Sequence, residues 1–520
     1  MNKYIKYVYK FFLVTAILTM MWAIFTTIFA PRIGEIYSLF RNTHSYRTVI
    51  AINILCLLFA LGLYAFISYS LKRKRQSWKL SNKTAYGILI AELIIYFVSL
   101  LIFLKFIGFN QPVDDTAFTL KYLQQLSQGE SWGFNYMYSN PQNLLLMYIF
   151  SIIQFFFGTN YYAIIIIFSL MHVCTIVLTF FSMKQLNVGN LPALISIQVL
   201  IFAFQVTLHV PVAYTDILSL FFIALTMFFL TKYLKEDVAH KKVVILLTMI
   251  FCAIGYISKG TVLVLIIALA LFLLLKNTGK RRAMGVLPFL VLLVSSFFWN
   301  QFIHSQQLFP DNNYGQPNTH YIMMGLNGTP IPEDLSKKDT YRWSVGTYSS
   351  ADQKFTWNMF LTERLPKDKI QKEHLKVIKE RLNNMNLRQL IKALNTKVAV
   401  TWSSGDLKSS FEIFLSTGRK KDKMWVFENN VSGLILYALM MVIQYIIYFG
   451  IVFAAIKYFK KMNLFIFFNS IYITGYFAFL LLWEASPRYA MGIFIPAVLA
   501  IGLLLKKENE DHKIETKKVY

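Results

Sequence analysis

Six ionisable side chains stand at the ends of long apolar runs, where a charge is costly and needs a reason. They are Asp114 and Asp115 in FNQPVDDTAFTLKYLQQL, Asp216 in HVPVAYTDILSLFF, Lys259 in YISKGTVLV, and Glu484 and Arg488 in LLWEASPRYAMGIFIP. Paired carboxylates suit general-base work, because crowding and desolvation raise a carboxyl pKa toward the range where it takes a proton from an attacking hydroxyl. A forked guanidinium beside an ammonium suits a phosphate oxyanion. Each residue also has a bland account. The three aspartates sit where helices begin and could cap them. Lys259 could snorkel to an interface. Glu484 and Arg488 are spaced to pair with each other if the turn is helical, which Pro487 disfavours. Trp132, Phe134, Tyr136 and Tyr138 form either an interfacial aromatic belt or a platform for a sugar ring. The chain has no Walker motif, and its eight histidines are not grouped as metal ligands, so neither a metal nor a cofactor is expected.

The elements that hold these residues are membrane helices. Apolar residues make up 56% of the chain and charged residues 15%, against about a quarter charged in a soluble protein. The candidate spans are 11–30, 48–71, 85–108, 161–183, 190–208, 216–231, 243–257, 261–275, 284–301, 431–456, 462–483 and 490–505. Most are close to the roughly 17 to 25 residues that cross a hydrocarbon core as helix. The fold class expected is therefore an all-α polytopic membrane protein of about twelve transmembrane helices. The net charge of +26 does not point to nucleic acid, since many of the cations lie in short loops between spans. Cys56, Cys174 and Cys252 lie in apolar runs and form no disulfide or metal-ligand pattern. The first apolar run exceeds the roughly 7 to 15 residues of a signal-peptide core and is read as a retained span.

Residues 144–157 are apolar but short, with Pro141 before them and Gly158 after. Charge decides their role. If they lie along the interface and the N-terminus is inside, the loops carrying Lys72 to Arg75, Lys232 to Lys242, Lys276 to Arg282 and Lys457 to Lys461 all fall inside, as does the tail with Lys506, Lys507, Lys517 and Lys518. One loop fits poorly, since Arg32, Arg41 and Arg47 fall outside. The expected organisation is two N-terminal spans (1–84), a membrane core (85–301) with an outer loop at 109–160, an extracellular soluble segment (302–430) with a helical stretch near 366–396, C-terminal spans (431–505) and a cytoplasmic tail (506–520). All six ionisable residues then face outside.

In this order and on this face, the motifs resemble the C-type (GT-C) glycosyltransferase superfamily, in particular the protein O-mannosyltransferase and lipid A aminoarabinose-transferase type, with the closest look to Gram-positive bacterial members. The acidic pair after a span is matched by Asp114 and Asp115, and the two helices lying on the membrane by 116–128 and 142–157. The Asp opening a later span is matched by Asp216, the Lys-Gly turn by Lys259 and Gly260, and the late Arg-Tyr by Arg488 and Tyr489. The chain departs from the family in its two extra leading spans, in an Asp-Asp rather than Asp-Glu pair, and in a large segment before the last three spans.

The resemblance implies a multi-pass plasma-membrane enzyme with its active site outside. It would transfer a sugar from a polyprenyl-phosphate donor to a cell-wall polymer or glycolipid, inverting the anomeric centre. Asp114, Asp115 and Asp216 would be catalytic, with Asp114 the base. Lys259, Arg488 and Tyr489 would bind the donor phosphate, with Glu484 and Tyr138 in support. Membrane lipids are the remaining partners. The rival readings are a transporter or flippase, whose charges belong at mid-membrane, and a polymerase or ligase using similar donors.

Overall fold

The computed structural model describes residues 3–29, 46–73, 80–130, 136–235, 238–329, 345–415, 423 and 430–506. Arg32, Arg41, Lys74, Arg75, Trp132, Phe134, Lys507, Lys517 and Lys518 lie outside the described residues. Among the described residues every regular element is a helix. In chain order these are α1 (Lys3–Phe29), α2 (Tyr46–Arg73), α3 (Asn82–Ile107), α4 (Asp114–Ser127), α5 (Leu144–Phe157), α6 (Tyr161–Gln185), α7 (Asn190–Ile201), α8 (Thr215–Leu234), α9 (Lys241–Ser258), α10 (Leu263–Lys276) and α11 (Leu287–Ser305). The hydrophilic segment contributes α12 (Thr319–Met324), α13 (Ser350–Trp357), α14 (Lys367–Asn383), α15 (Leu387–Trp402) and α16 (Ser409–Leu415). The chain closes with α17 (Val431–Lys457), α18 (Leu464–Leu482) and α19 (Phe494–Leu505).

Ten helices among the described residues are long and apolar enough to cross a membrane, so the chain is a multi-pass membrane protein. Two of the twelve expected spans are shorter. The one expected at 261–275 is the apolar helix Gly260–Lys276. The one expected at 190–208 is a correction: its helix ends at Ile201, and a separate turn of helix covers Phe204–Thr207. The break has a polar cause. Gln205 donates to the Met440 carbonyl, Thr207 bonds to Tyr96, and His209 Nε2 lies 3.0 Å from the Leu407 carbonyl. Irregular backbone at such depth is tolerated where protein buries it, and Gln205 and His209 are both buried. This broken passage delivers Tyr214 and Asp216 to the start of α8.

The helix α5 is short, as expected. At about 1.5 Å per residue its length is well under the roughly 30 Å of a hydrocarbon core. Leu146, Met147 and Phe150 bury one face, while Phe155, Phe156 and Phe157 at its end are exposed. The centre of the bundle is α8, packed between α6 and α9, and α19, which is buried nearly all round. The two leading helices are not appendages. The first packs against α15, α17 and α18, and the second against α17. Asn53 joins them, donating to the Thr27 carbonyl and accepting from Tyr437.

The hydrophilic segment has its own polar core. Arg381 clasps Asp352 with two bonds of 2.7 and 2.9 Å, and Thr356 links His320 to His374. It is stitched to the bundle at several places. Gly315 and Gln316 donate to the carbonyls of Tyr138 and Ser139. Lys397 donates to the carbonyls of Gly325 and Trp483, at 2.7 and 2.8 Å. Gly346 fits between these, with φ at +73° and no room for a Cβ, which would lie 2.9 Å from the Gly325 carbonyl. Its own carbonyl accepts from Ala485.

Candidate active site

Helix α3 stops at Gly108, whose left-handed backbone closes the last turn onto the carbonyls of Leu104 and Lys105. The chain then reaches Asp114, which opens α4 with φ at 48°. A left-handed non-glycine residue costs on the order of 1 kcal/mol, a strain that tends to gather at functional sites. Asp114 and Asp115 occupy the first turn of α4, but no side chain caps that helix. The capping account therefore fails for both. It fails likewise for Asp216, since the α8 terminus has no side-chain cap either.

Asp115 is held in place. Its Oδ1 accepts a 2.6 Å hydrogen bond from the Tyr136 hydroxyl, which accepts in turn from Asn143 Nδ2. Asn143 Oδ1 accepts from the Tyr214 hydroxyl. Three separate elements, α4, the YSNPQN turn and the entry to α8, are thus tied by one chain of bonds. The Tyr136 ring stacks on Phe118 at 5.2 Å. Among the described residues Asp114, by contrast, makes no bond of this kind, and it is the more exposed of the two. Partial burial, then the negative charges of Asp115 and Glu412, raise its pKa above the ordinary carboxyl value.

Asp216 is 4% exposed and takes an ion pair from Lys259 at the end of α9. Lys259 Nζ also lies 5.2 Å from the Tyr489 ring centroid. The guanidinium of Arg488 sits among three carboxylates. Its Nη2 is 3.6 Å from Asp115 Oδ2, its Nε 4.0 Å from Asp216 Oδ2, and its Nη1 3.8 Å from Glu412 Oε1. All three are too long for hydrogen bonds, and among the described residues Nε has no hydrogen-bond partner. The Tyr214 ring, 5.2 Å away, supports the guanidinium from one side. Its Nε–H is therefore held in place but unspent.

Five of the six residues named at span ends meet in this cluster. Glu484 lies near it but forms no ion pair with Arg488, so the local pairing account does not hold. Burial raises its pKa to about 7, against the lowering influence of Arg488 and Lys408. Tyr489 faces Lys259. Tyr138 is the exception. It is buried away from the cluster, donating to Asp311 and packing on Phe309 and Phe360 of the hydrophilic segment. In the one-turn helix Tyr136–Ser139 the two tyrosines point to different sides, and Tyr136 is the one at the site.

Asp216, Lys259, Thr261 and Arg488 line a small pocket together with Leu220, Ile223 and Met491. Lys408 and Glu412 are present as well, although sequence reasoning passed over them. The signal was the polar stretch SSGDLKSSFE set between the apolar runs VAVTW and IFL.

Residues 140–299 match the family model described as dolichyl-phosphate-mannose-protein mannosyltransferase. No curated protein and no solved structure matches the chain. The matched stretch holds Asn143, Tyr214, Asp216 and Lys259, while Asp114, Asp115 and Arg488 lie outside it. The family described is a GT-C family, and the match together with the ten apolar helices supports a multi-pass membrane glycosyltransferase of that type.

Proposed function

We propose that this chain transfers a sugar from a polyprenyl-phosphate donor to a hydroxyl on an extracytoplasmic acceptor, a cell-wall polymer or glycolipid. The observation that carries the reading is Arg488, whose Nε has no hydrogen-bond partner among the described residues, lining one small pocket with Lys259. A guanidinium beside an ammonium suits a phosphate oxyanion.

The chemistry follows from the charges. Asp114 is the base, since it is exposed, left-handed and raised in pKa, whereas Asp115 is engaged by Tyr136 and Arg488. It takes the acceptor hydroxyl's proton as the oxygen bonds to the anomeric carbon. The bond from that carbon to the phosphate oxygen breaks, and the electron pair leaves with the phosphate. Displacement in line inverts the anomeric centre. The leaving group needs cations rather than an acid, and Arg488 and Lys259 meet its growing charge. Asp216 holds Lys259 in position. No cofactor enters the scheme.

The test is a donor panel offered to the purified, reconstituted chain. Polyprenyl-phosphate hexoses should serve as donors, and the matching nucleotide sugars should not. Arg488→Ala should abolish transfer, and Arg488→Lys should retain part of it, because the charge survives without the planar fork. Use of nucleotide sugars alone, or an Arg488→Ala variant equal to the parent, would refute the proposal.

A further inference from the structure

Glu412 belongs to none of the motifs that pointed to the site, yet it reaches the same guanidinium. It lies on α16, and its carboxylate is 1% exposed. Among the described residues, neither of its oxygens receives a hydrogen bond. The nearest cations are Lys408 Nζ at 3.5 Å and Arg488 Nη1 at 3.8 Å. A buried carboxylate normally collects several donors, and leaving its oxygens bare is costly. The two cations lie at ion-pair distance but leave its oxygens without a hydrogen bond.

The backbone that presents Glu412 is strained and pinned. Leu407 and Lys408 are consecutive left-handed residues, with φ at 52° and 67°, and neither is glycine. The Leu407 carbonyl lies 3.0 Å from His209 Nε2, on the broken passage that leads to Asp216. The Lys408 amide donates to Asp406. A strained turn fixed from two sides aims a carboxylate with empty acceptor positions at the reacting centre.

We infer that Glu412 is a substrate-binding residue: its carboxylate, flanked by Lys408 and Arg488, accepts hydrogen bonds from a sugar hydroxyl. This rests on the sugar-transfer reading above. Charge excludes the phosphate as the ligand of Glu412, because two anions would repel. Arg488 is then shared, with one edge toward Glu412 and the sugar and the other toward the phosphate. The hydroxyl is supplied by the donor sugar or by a saccharide acceptor.

A substrate-by-mutant cycle tests this. The full-length chain in proteoliposomes is given the polyprenyl-phosphate hexose it uses best, then the forms in which one hydroxyl at a time is replaced by hydrogen. A parallel arm varies saccharide acceptors in the same way. In the parent, removing the hydroxyl that faces Glu412 should lower kcat/KM by about tenfold to a hundredfold, the effect of one hydrogen bond to a charged group. In Glu412→Ala that penalty should shrink to nearly nothing, and penalties at the other hydroxyls should persist. Glu412→Gln, nearly the same shape, should retain part of it and guards against a folding defect. Loss of coupling in the donor arm assigns Glu412 to the transferred sugar, and in the acceptor arm to the acceptor. A parent that transfers sugar but whose penalties are all unchanged in both variants overturns the inference alone. A parent that uses no lipid-phosphate sugar overturns the reading beneath it and this inference together.

Discussion

At the scale of single residues, the account turns on two adjacent aspartates doing different work. Asp115 is bonded to Tyr136 and faces Arg488, while among the described residues Asp114 is free of such ties and is the more exposed of the two. Asp114→Asn keeps the shape and should leave the fold intact, yet lower transfer by roughly two to four orders of magnitude, the usual contribution of a general base. A base works only when ionised, and burial with neighbouring carboxylates moves the Asp114 pKa upward. The rate should therefore fall as pH drops, with the acid limb above the ordinary carboxyl range. That limb should be missing from the residual activity of Asp114→Asn. An unchanged profile of kcat/KM against pH would assign the base elsewhere. The ionisable residues at span ends were legible in the sequence because a charge at membrane depth stands out. Glu412 and Lys408 were not, because charges are ordinary in a hydrophilic segment and only the fold carries these two to Arg488.

At the scale of elements, the hydrophilic segment clamps the turn that carries Arg488. Lys397, 2% exposed, donates to Gly325 on one side and Trp483 on the other. Burial lowers its pKa to about 7. Lys397→Met fills the space but leaves two carbonyls unpaired. It should destabilise the protein by about 2–6 kcal/mol, since each bare group costs about 1–3 kcal/mol, and lower transfer without removing donor binding. Thermal unfolding in detergent reads the first effect, and an unaltered midpoint would show that the clamp is idle. Glu484, in the same turn, has its pKa raised from 4.5 to about 7, mainly by burial. The folded state then binds its proton more tightly than the unfolded chain, so its contribution to stability falls as pH rises from about 4.5 to 7. Glu484→Gln should raise the unfolding midpoint at pH 8 relative to the parent and change it little near pH 4. Equal shifts at both values would contradict the assignment. Among the helices, length and punctuation made α5 legible as a short element. The break after Ile201 was hidden, because residues 190–208 read as a continuous apolar run and the partners of Gln205, Thr207 and His209 are distant in sequence.

At the scale of the whole molecule, most spans were legible because a hydrocarbon core imposes its length on the sequence. The integration of the first two helices was not. They read as additions before the family-like core, yet α1 packs against α17 and α18 through contacts that no local pattern announces. The sidedness of the bundle is an expectation from charge. With Cys56, Cys174 and Cys252 replaced, a single cysteine at Gln128 should react with an impermeant thiol reagent from outside, and one at Lys235 only after permeabilisation. The reverse pattern would put the site on the cytoplasmic face, away from the proposed acceptor.

The central claim is that one cluster of charges moves a sugar off a lipid phosphate. The most direct measurement follows radiolabelled sugar and released polyprenyl phosphate together, in proteoliposomes of the purified chain. The donor is a polyprenyl-phosphate hexose, and the acceptor pool is a wall and membrane fraction from cells lacking the protein. The account predicts that label leaves the lipid in step with free polyprenyl phosphate, arrives on the acceptor with inverted anomeric configuration, and does neither with Arg488→Ala or Asp114→Asn. Label that crosses the bilayer still attached to its lipid, at the same rate in the parent and both variants, would contradict it and favour a transporter.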